Sequence, residues 1–272
     1  MLHEEYKVTI NIRDHSGRIM SHFKFLPVFS SPVVPVYCFM QSASWPATRC
    51  KIMSEHLTLK SSDQYERIIK SELCIQEATA WLSAHEPRFT QALQKTGPLP
   101  LRLRPDGFER LLSAIVSQQI SVAAADAIWN RMKAAGFTNP KIILSASEEK
   151  LRSAGLSRQK SKYAKALSEA DIDYEGLRTL SSEDIIKTLT RVSGIGVWTA
   201  EIYVMFSLGR ADVFASGDLA LQESARVLFA LPERPKEKEL RVMSQDWSPW
   251  RAVAARLLWA YYNYVKSREG IR

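Results

Sequence analysis

From about residue 60 onward, apolar residues recur at the three- and four-residue spacings of an amphipathic helix. Asp63 and Glu66 form a capping pair ahead of Tyr65, Ile68, Ile69, Leu73 and Trp81. Asp106 and Glu109 do the same around a run of Phe108, Leu111, Leu112, Ile115 and Val116. Ser121 starts a third run (Val122, Ala125, Ile128, Trp129, Met132), which Gly136 stops. Short helices are predicted over 147–154, 158–170 and 182–191. Others follow near 198–208, 218–230, 236–245 and 249–266, with Pro235 and Pro249 at helix starts. No period-2 strand or two-residue hairpin turn interrupts the series after residue 60. The predicted class is all-α, with about ten helices and short connections.

The first 58 residues have a different character and read as an irregular N-terminal extension. Their most apolar run, from His22 to Met40, is preceded by Arg13 and Arg18, carries Lys24 near its start and is followed by Ser42-Ala43-Ser44, the outline of a secretory signal. Pro27, Pro32 and Pro35 argue against that reading, because each breaks a helical apolar segment. The run is also short and interrupted for a membrane span. Met53 opens sequence of the later type, so the stretch before it is also read as sequence upstream of a start at that methionine.

Composition is that of an ordinary globular chain: 46% hydrophobic and 24% charged over 272 residues. A net charge of +8 favours a polyanionic partner without requiring one. Positions 1–52 hold six basic and three acidic residues, leaving 31 basic against 26 acidic, or +5, for the rest. Cysteine and histidine exclude more. Cys38, Cys50 and Cys74, and His3, His15, His22, His56 and His85, all lie before residue 86. A Cys-rich zinc or iron–sulfur site, or a Ser-His or Cys-His pair, therefore has no place in the larger part of the chain. Chemistry there rests on carboxylates, hydroxyls, amides, lysines or backbone groups, and no metal ligands are assigned from side chains.

The informative segment is Val192-Ser193-Gly194-Ile195-Gly196-Val197-Trp198-Thr199-Ala200. One predicted helix ends near Arg191 and the next begins near Trp198. Glycines let backbone amides approach an anion closely, and the second helix adds orphan amides and the positive end of its dipole. A Gly-x-Gly turn alone is a weak signal for phosphate. A dinucleotide-binding fold is excluded because no strand precedes it. Downstream, Gly217-Asp218 opens an amphipathic helix, where an Asp is ordinarily an N-cap.

The combination of helix, Gly-Ile-Gly, helix and then Gly217-Asp218 resembles the helix-hairpin-helix DNA glycosylase superfamily, and within it the alkylated-base branch of DNA-3-methyladenine glycosylase II. Ser117-Gln118-Gln119-Ile120-Ser121-Val122-Ala123, Gly155-Leu156-Ser157-Arg158-Gln159-Lys160 and Ser248-Pro249-Trp250-Arg251, continuing to Leu257-Leu258-Trp259, resemble further family segments. The resemblance spans roughly residues 62 to 266. It implies a domain over 59–272 with two helical subdomains around a cleft: 105–212, and 59–104 combined with 213–272.

The resemblance also implies roles. Asp218 falls at the catalytic carboxylate. Trp198 and Trp259 fall at pocket aromatics. A third family aromatic, four residues after Trp198, is replaced by Ile202, with Tyr203 beside it. Gln119 falls where a wedge fills the gap left by the flipped base. Gly194, Ile195 and Gly196 supply backbone contacts to DNA, and relatives bind a monovalent cation at the hairpin carbonyls, here the 192–197 turn. No other cofactor is expected. Bifunctional relatives carry a lysine at position 198, and Trp198 cannot form their Schiff base. Arg158, Lys160, Lys162 and Lys165 make a basic helix that reads either as phosphate contacts or as a solvated face.

The expected activity is therefore monofunctional N-glycosylase action on alkylated bases such as 3-methyladenine, in base-excision repair. The expected partner is double-stranded DNA with alkylated bases, for a monomer away from membranes, in the cytoplasm or in a eukaryotic nucleus. A non-catalytic helix-hairpin-helix DNA-binding module, a generic helical interaction protein and a glycosylase for another base such as oxidised guanine remain the alternatives.

Overall fold

Residues 8–13, 19–25 and 66–268 are described in a computed structural model of the chain. The chain divides into two units, residues 1–60 and 61–272. In the first, β1 (Val8–Arg13) pairs antiparallel with β2 (Ile19–Phe25), with a register shift between Ile12 and Arg13. The expected irregular extension thus contains a strand pair. Its sequence cause is the alternation of Val8, Ile10 and Ile12 with Thr9 and Asn11, too short a pattern to stand out beside the helical periodicity. Asp63, Met53 and the apolar run after Phe25 lie outside the described residues.

The second unit is helical. It runs α1 (Glu72–His85), α2 (Pro87–Thr96), α3 (Phe108–Ser117), α4 (Val122–Ala134), α5 (Pro140–Ser145), α6 (Glu148–Ser153), α7 (Arg158–Glu169), α8 (Tyr174–Leu177), α9 (Ser182–Thr190) and α10 (Val197–Phe206). Then come α11 (Leu219–Leu228), α12 (Glu237–Met243), a 3-10 turn (Ser244–Trp247) and α13 (Arg251–Arg268). Capping sets many of the starts. Ser121, Ser157 and Ser181 accept from the backbone N–H of Ala124, Lys160 and Asp184, each satisfying a donor the helix cannot. α2, α5 and α8 fall outside the predicted runs, and α8 is only four residues long. Asn139 and Asp173 cap α5 and α8.

Two expected caps are corrected. Glu66 does not cap α1, whose N-cap is Ser71; its carboxylate accepts from the Ser182 N–H at 2.7 Å and pairs with Arg210. Gly107, not Asp106, is the N-cap of α3. The Asp106 carboxylate is ion-paired with Arg178, and the Gly107 N–H donates to the Tyr203 hydroxyl at 2.9 Å. Asp106 is spent on a tertiary contact that local spacing does not reveal.

The main packing contacts fall into two sets. In one, α3 packs on α4, α7 and α10, α7 also on α5 and α6, and α10 on α9. In the other, α13 packs on α1, α2, α11 and the 3-10 turn, and α11 on α12. One apolar core runs through both, from Leu111, Ile115 and Leu151 to Leu221, Leu257 and Leu258, all fully buried. Each such side chain contributes about 1.5–3 kcal/mol of burial. Polar ties cross between the sets. Arg251 of α13 holds Asp212 bidentately at 2.7 and 3.0 Å. The buried Arg256 donates to Met205 O and lies 4.6 Å from the centre of the Phe206 ring, and burial lowers its pKa to about 10.

Candidate active site

α9 ends at Thr190 and α10 begins at Val197, so residues 191–196 form the predicted turn between two helices. Ile195 is buried and its N–H donates to Val192 O at 3.0 Å. The two glycines differ. Gly194 has φ +97, and a Cβ there would overlap the Cβ and ring carbons of Tyr163 on α7. Gly196 is the N-cap of α10 with φ −85, and a Cβ there would meet no atom within 4 Å. No side chain caps α10. Its first-turn amides and dipole therefore lack the usual internal acceptor, at a spot open to close approach.

Asp218 is fixed from four directions. It is the N-cap of α11, and its Oδ1 accepts from Ala220 N–H at 2.9 Å and Leu221 N–H at 3.0 Å. Trp259 Nε1 of α13 donates to the same oxygen at 3.1 Å. Trp198 Nε1 of α10 donates to Oδ2 at 2.9 Å. The ordinary capping role and the special one are not exclusive: the cap orients Oδ1 inward and turns Oδ2 towards α10. The turn beneath is held by the Asp218 N–H to Ala215 O (3.0 Å) and by the buried Gln222 side chain to Ser216 O (2.9 Å).

Beside this carboxylate lies a cavity of about 430 Å³, lined by Arg110, Leu111, Ala114, Ser117, Gln118, Gln119, Trp198, Thr199, Ile202 and Tyr203. Its walls come from α3, the turn after it and α10. Trp198, still 46% exposed, belongs to the cavity and to the Asp218 cluster at once. Trp259 does not line the cavity; it is half-buried against Phe206, ring centres 5.8 Å apart. Tyr203 lines the cavity but is buried, its hydroxyl occupied by Gly107, and burial raises its pKa to about 12. Gln119 is exposed at the cavity with φ +59, left-handed for a non-glycine residue. Among the described residues no cluster of three or more His, Cys, Asp or Glu side chains is placed to hold a metal.

Sequence reasoning gave no role to two groups and a different one to a third. Arg110 is the one cation in the cavity wall among the described residues; burial, and then Arg104, lowers its pKa. Gln118 donates through Nε2 to Gly194 O at 2.9 Å, joining the turn after α3 to the hairpin. Lys160, read as a phosphate contact or solvated face, donates instead to Val116 O and Gln118 O, both at 2.7 Å. Those partners lie 44 and 42 residues away, beyond any local signal. Behind α10, buried Glu201 pairs with Arg241 at 3.0 Å, and Arg241 also reaches Glu237 at 3.1 Å. Burial raises the Glu201 pKa, with Arg241 pulling the other way.

The structure thus brings together a helical hairpin with an uncapped second helix, the left-handed turn at Gln119 and a carboxylate beside an aromatic-lined cavity. The sequence profile of the HhH-GPD superfamily base excision DNA repair proteins matches residues 112–249, and the chain belongs to that superfamily. It is similar to the Schizosaccharomyces pombe alkylbase DNA glycosidase-like protein mag2, 29% identical over 65% of this chain and 89% of that protein. It is 35% identical to DNA-3-methyladenine glycosylase 1 of the same yeast over 57% of this chain and 72% of that protein. Among solved structures, the S. pombe 3-methyladenine DNA glycosylase Mag1 in complex with abasic DNA superposes with a TM-score of 0.59 at 32% identity, covering 67% of this chain and 95% of that one. The Bacillus halodurans DNA-3-methyladenine glycosidase gives 0.63 at 32% identity over 74% and 94%.

Proposed function

We propose that this protein is a monofunctional DNA N-glycosylase that extrudes an alkylated base from duplex DNA and hydrolyses its glycosidic bond, leaving an abasic site. The observation that carries this reading is the Asp218 carboxylate, held by two backbone and two indole donors next to a base-sized cavity. The names of the similar yeast and bacterial proteins point to the same substrates.

Extrusion costs a few kcal/mol, least for a damaged base. Gln119 fills the vacated step, and the hairpin amides around Gly194, Gly196 and Trp198 hold phosphate. As the C1′–N bond breaks, the sugar gains oxocarbenium character, which Asp218 stabilises while orienting the attacking water. The base leaves with the bonding pair, the water's oxygen bonds to C1′, and the proton the water loses passes to the Asp218 carboxylate. A cationic alkylated purine stacked on Trp198 gains about 1–2 kcal/mol over a neutral one. Trp198 offers no amine, so no Schiff base and no strand cleavage follow. The protein acts as a monomer, where the DNA is, in the cytoplasm or a nucleus. No described helix is long and apolar enough to cross a membrane.

A monovalent cation fits the hairpin turn. Val192, Gly194 and Gly196 carbonyls accept from Ile195 N–H, Gln118 Nε2 and Ala200 N–H respectively, each keeping a second lone pair. Such neutral oxygens would hold it weakly, and it would bridge the turn to phosphate.

The test is incubation with methylated DNA and chromatography of released bases. Free 3-methyladenine with strands intact, and no borohydride-trapped adduct, is the expected result. Damage-dependent binding without release would establish the non-catalytic module instead.

A further inference from the structure

We propose that Lys160 is a positioning residue that locks the wedge turn to the hairpin, and is not a contact to DNA phosphate. This rests on the proposed function, specifically on Gln119 filling the gap of a flipped nucleotide.

α3 ends at Ser117, and its last carbonyls carry the negative end of the helix dipole. The Lys160 ammonium sits 2.7 Å from Val116 O and 2.7 Å from Gln118 O, so two of its three protons are committed there. Burial lowers its pKa, as expected of an ammonium drawn away from water. The next residue, Gln119, takes the left-handed backbone that turns the chain out to the cavity. The Gln118 side chain bridges to Gly194 O at 2.9 Å. Gly194 in turn lies against Tyr163, three residues after Lys160 and on the same face of α7. The contacts close a ring: Lys160 to Gln118, Gln118 to Gly194, Gly194 to Tyr163, and back along one helix. α7 therefore sets the distance between the phosphate-binding turn and the wedge. A phosphate seated on the hairpin and a base step opened by Gln119 are held in one register, which couples binding to extrusion.

The experiment compares Lys160→Met, Lys160→Arg, Gln118→Leu and Gln119→Ala. Extrusion is read from the emission of 2-aminopurine placed beside a tetrahydrofuran abasic analogue. Backbone binding is read from the salt dependence of affinity for undamaged duplex. Lys160→Met is expected to lower the extrusion signal and slow base release by ~10- to 100-fold, as small misplacements do. Its slope of log affinity against log salt should stay at the wild-type value. Lys160→Arg, which also offers two donors to the carbonyls, should recover most of the signal. Gln118→Leu cuts the ring elsewhere and should copy Lys160→Met, a check that holds if the methionine variant fails to fold. A slope reduced by about 0.9 with extrusion intact would make Lys160 a phosphate contact and overturn the proposal. If Gln119→Ala leaves the signal unchanged, the wedge reading itself fails. If Gln119→Ala abolishes the signal but Lys160→Met and Gln118→Leu do not lower it, the positioning proposal alone fails.

Discussion

The hairpin and the Asp218 cluster stand side by side but are built from opposite materials. The hairpin works through backbone: Gly194, Gly196 and the first amides of α10. The Asp218 cluster works through side chains: one carboxylate and two indoles that draw α10, α11 and α13 to a point. At Gly194 the backbone site is protected by sterics, because a Cβ there would strike Tyr163 at a positive φ, whereas Gly196 leaves open space for close approach. A side-chain site is protected by hydrogen bonds, because every donor has been aimed. The two should therefore fail differently when altered.

The largest effect is expected at Asp218→Asn. Asn caps helices as well as Asp, so folding should survive. Base release should fall by ~10²–10⁴-fold in single-turnover assays, with binding to damaged duplex retained. Unchanged release would remove Asp218 from the chemistry.

The glycines come next. Gly194→Ala forces a side chain into positive φ and into Tyr163, and is expected to cost about 1–3 kcal/mol in urea unfolding. Gly196→Ala, with open space and φ −85, should stay within about 0.5 kcal/mol of wild type yet lose DNA affinity by anisotropy. Equal stability losses would mean that the two positions are not specialised.

Trp259→Phe removes one of the four donors to Asp218. A hydrogen bond to a charged group is worth about 1.5–3 kcal/mol, so a loss of tenfold or more in release is expected, with little change in duplex affinity.

The smallest effect concerns Glu201. Its folded pKa lies above the usual 4.5, so the native state holds the extra proton. Its contribution to stability is fully present below the unfolded value and is lost as pH rises through the raised folded value. Glu201→Gln should flatten stability across that window. At pH 7 it should lie within about 1 kcal/mol of wild type, since removal of a buried charge offsets the lost pair with Arg241. Unfolding curves at several pH values between 4 and 7 would check this.

The Gly194–Gly196 turn and Asp218 were legible because their signals are local: glycine spacing, and an acid before an apolar periodic run. The amphipathic helices α3, α4, α9 and α11 were legible for the same reason. What escaped were partners far apart in sequence. Asp106 looks like a cap until Arg178, 72 residues on, takes it. Tyr203 looks like a pocket aromatic, yet its hydroxyl is spent on Gly107, 96 residues back. Lys160 sits in a basic run whose composition says solvent or phosphate, while the α3 carbonyls claim it. Trp259 looks like a pocket aromatic, yet it lies outside the cavity lining and its indole donates to Asp218, 41 residues back.

The position of Gly194 over Tyr163 bears on how this turn can change by mutation. An alanine at 194 meets two separate obstacles, a ring below and a backbone angle of +97. Trimming Tyr163 removes the first and leaves the second, and it also strips away the support that holds the turn beside Gln118. No single second-site change restores both. The hairpin is thus reached only through sequences that keep glycine at 194, whereas position 163 is free to vary among residues that still fill the space beneath it.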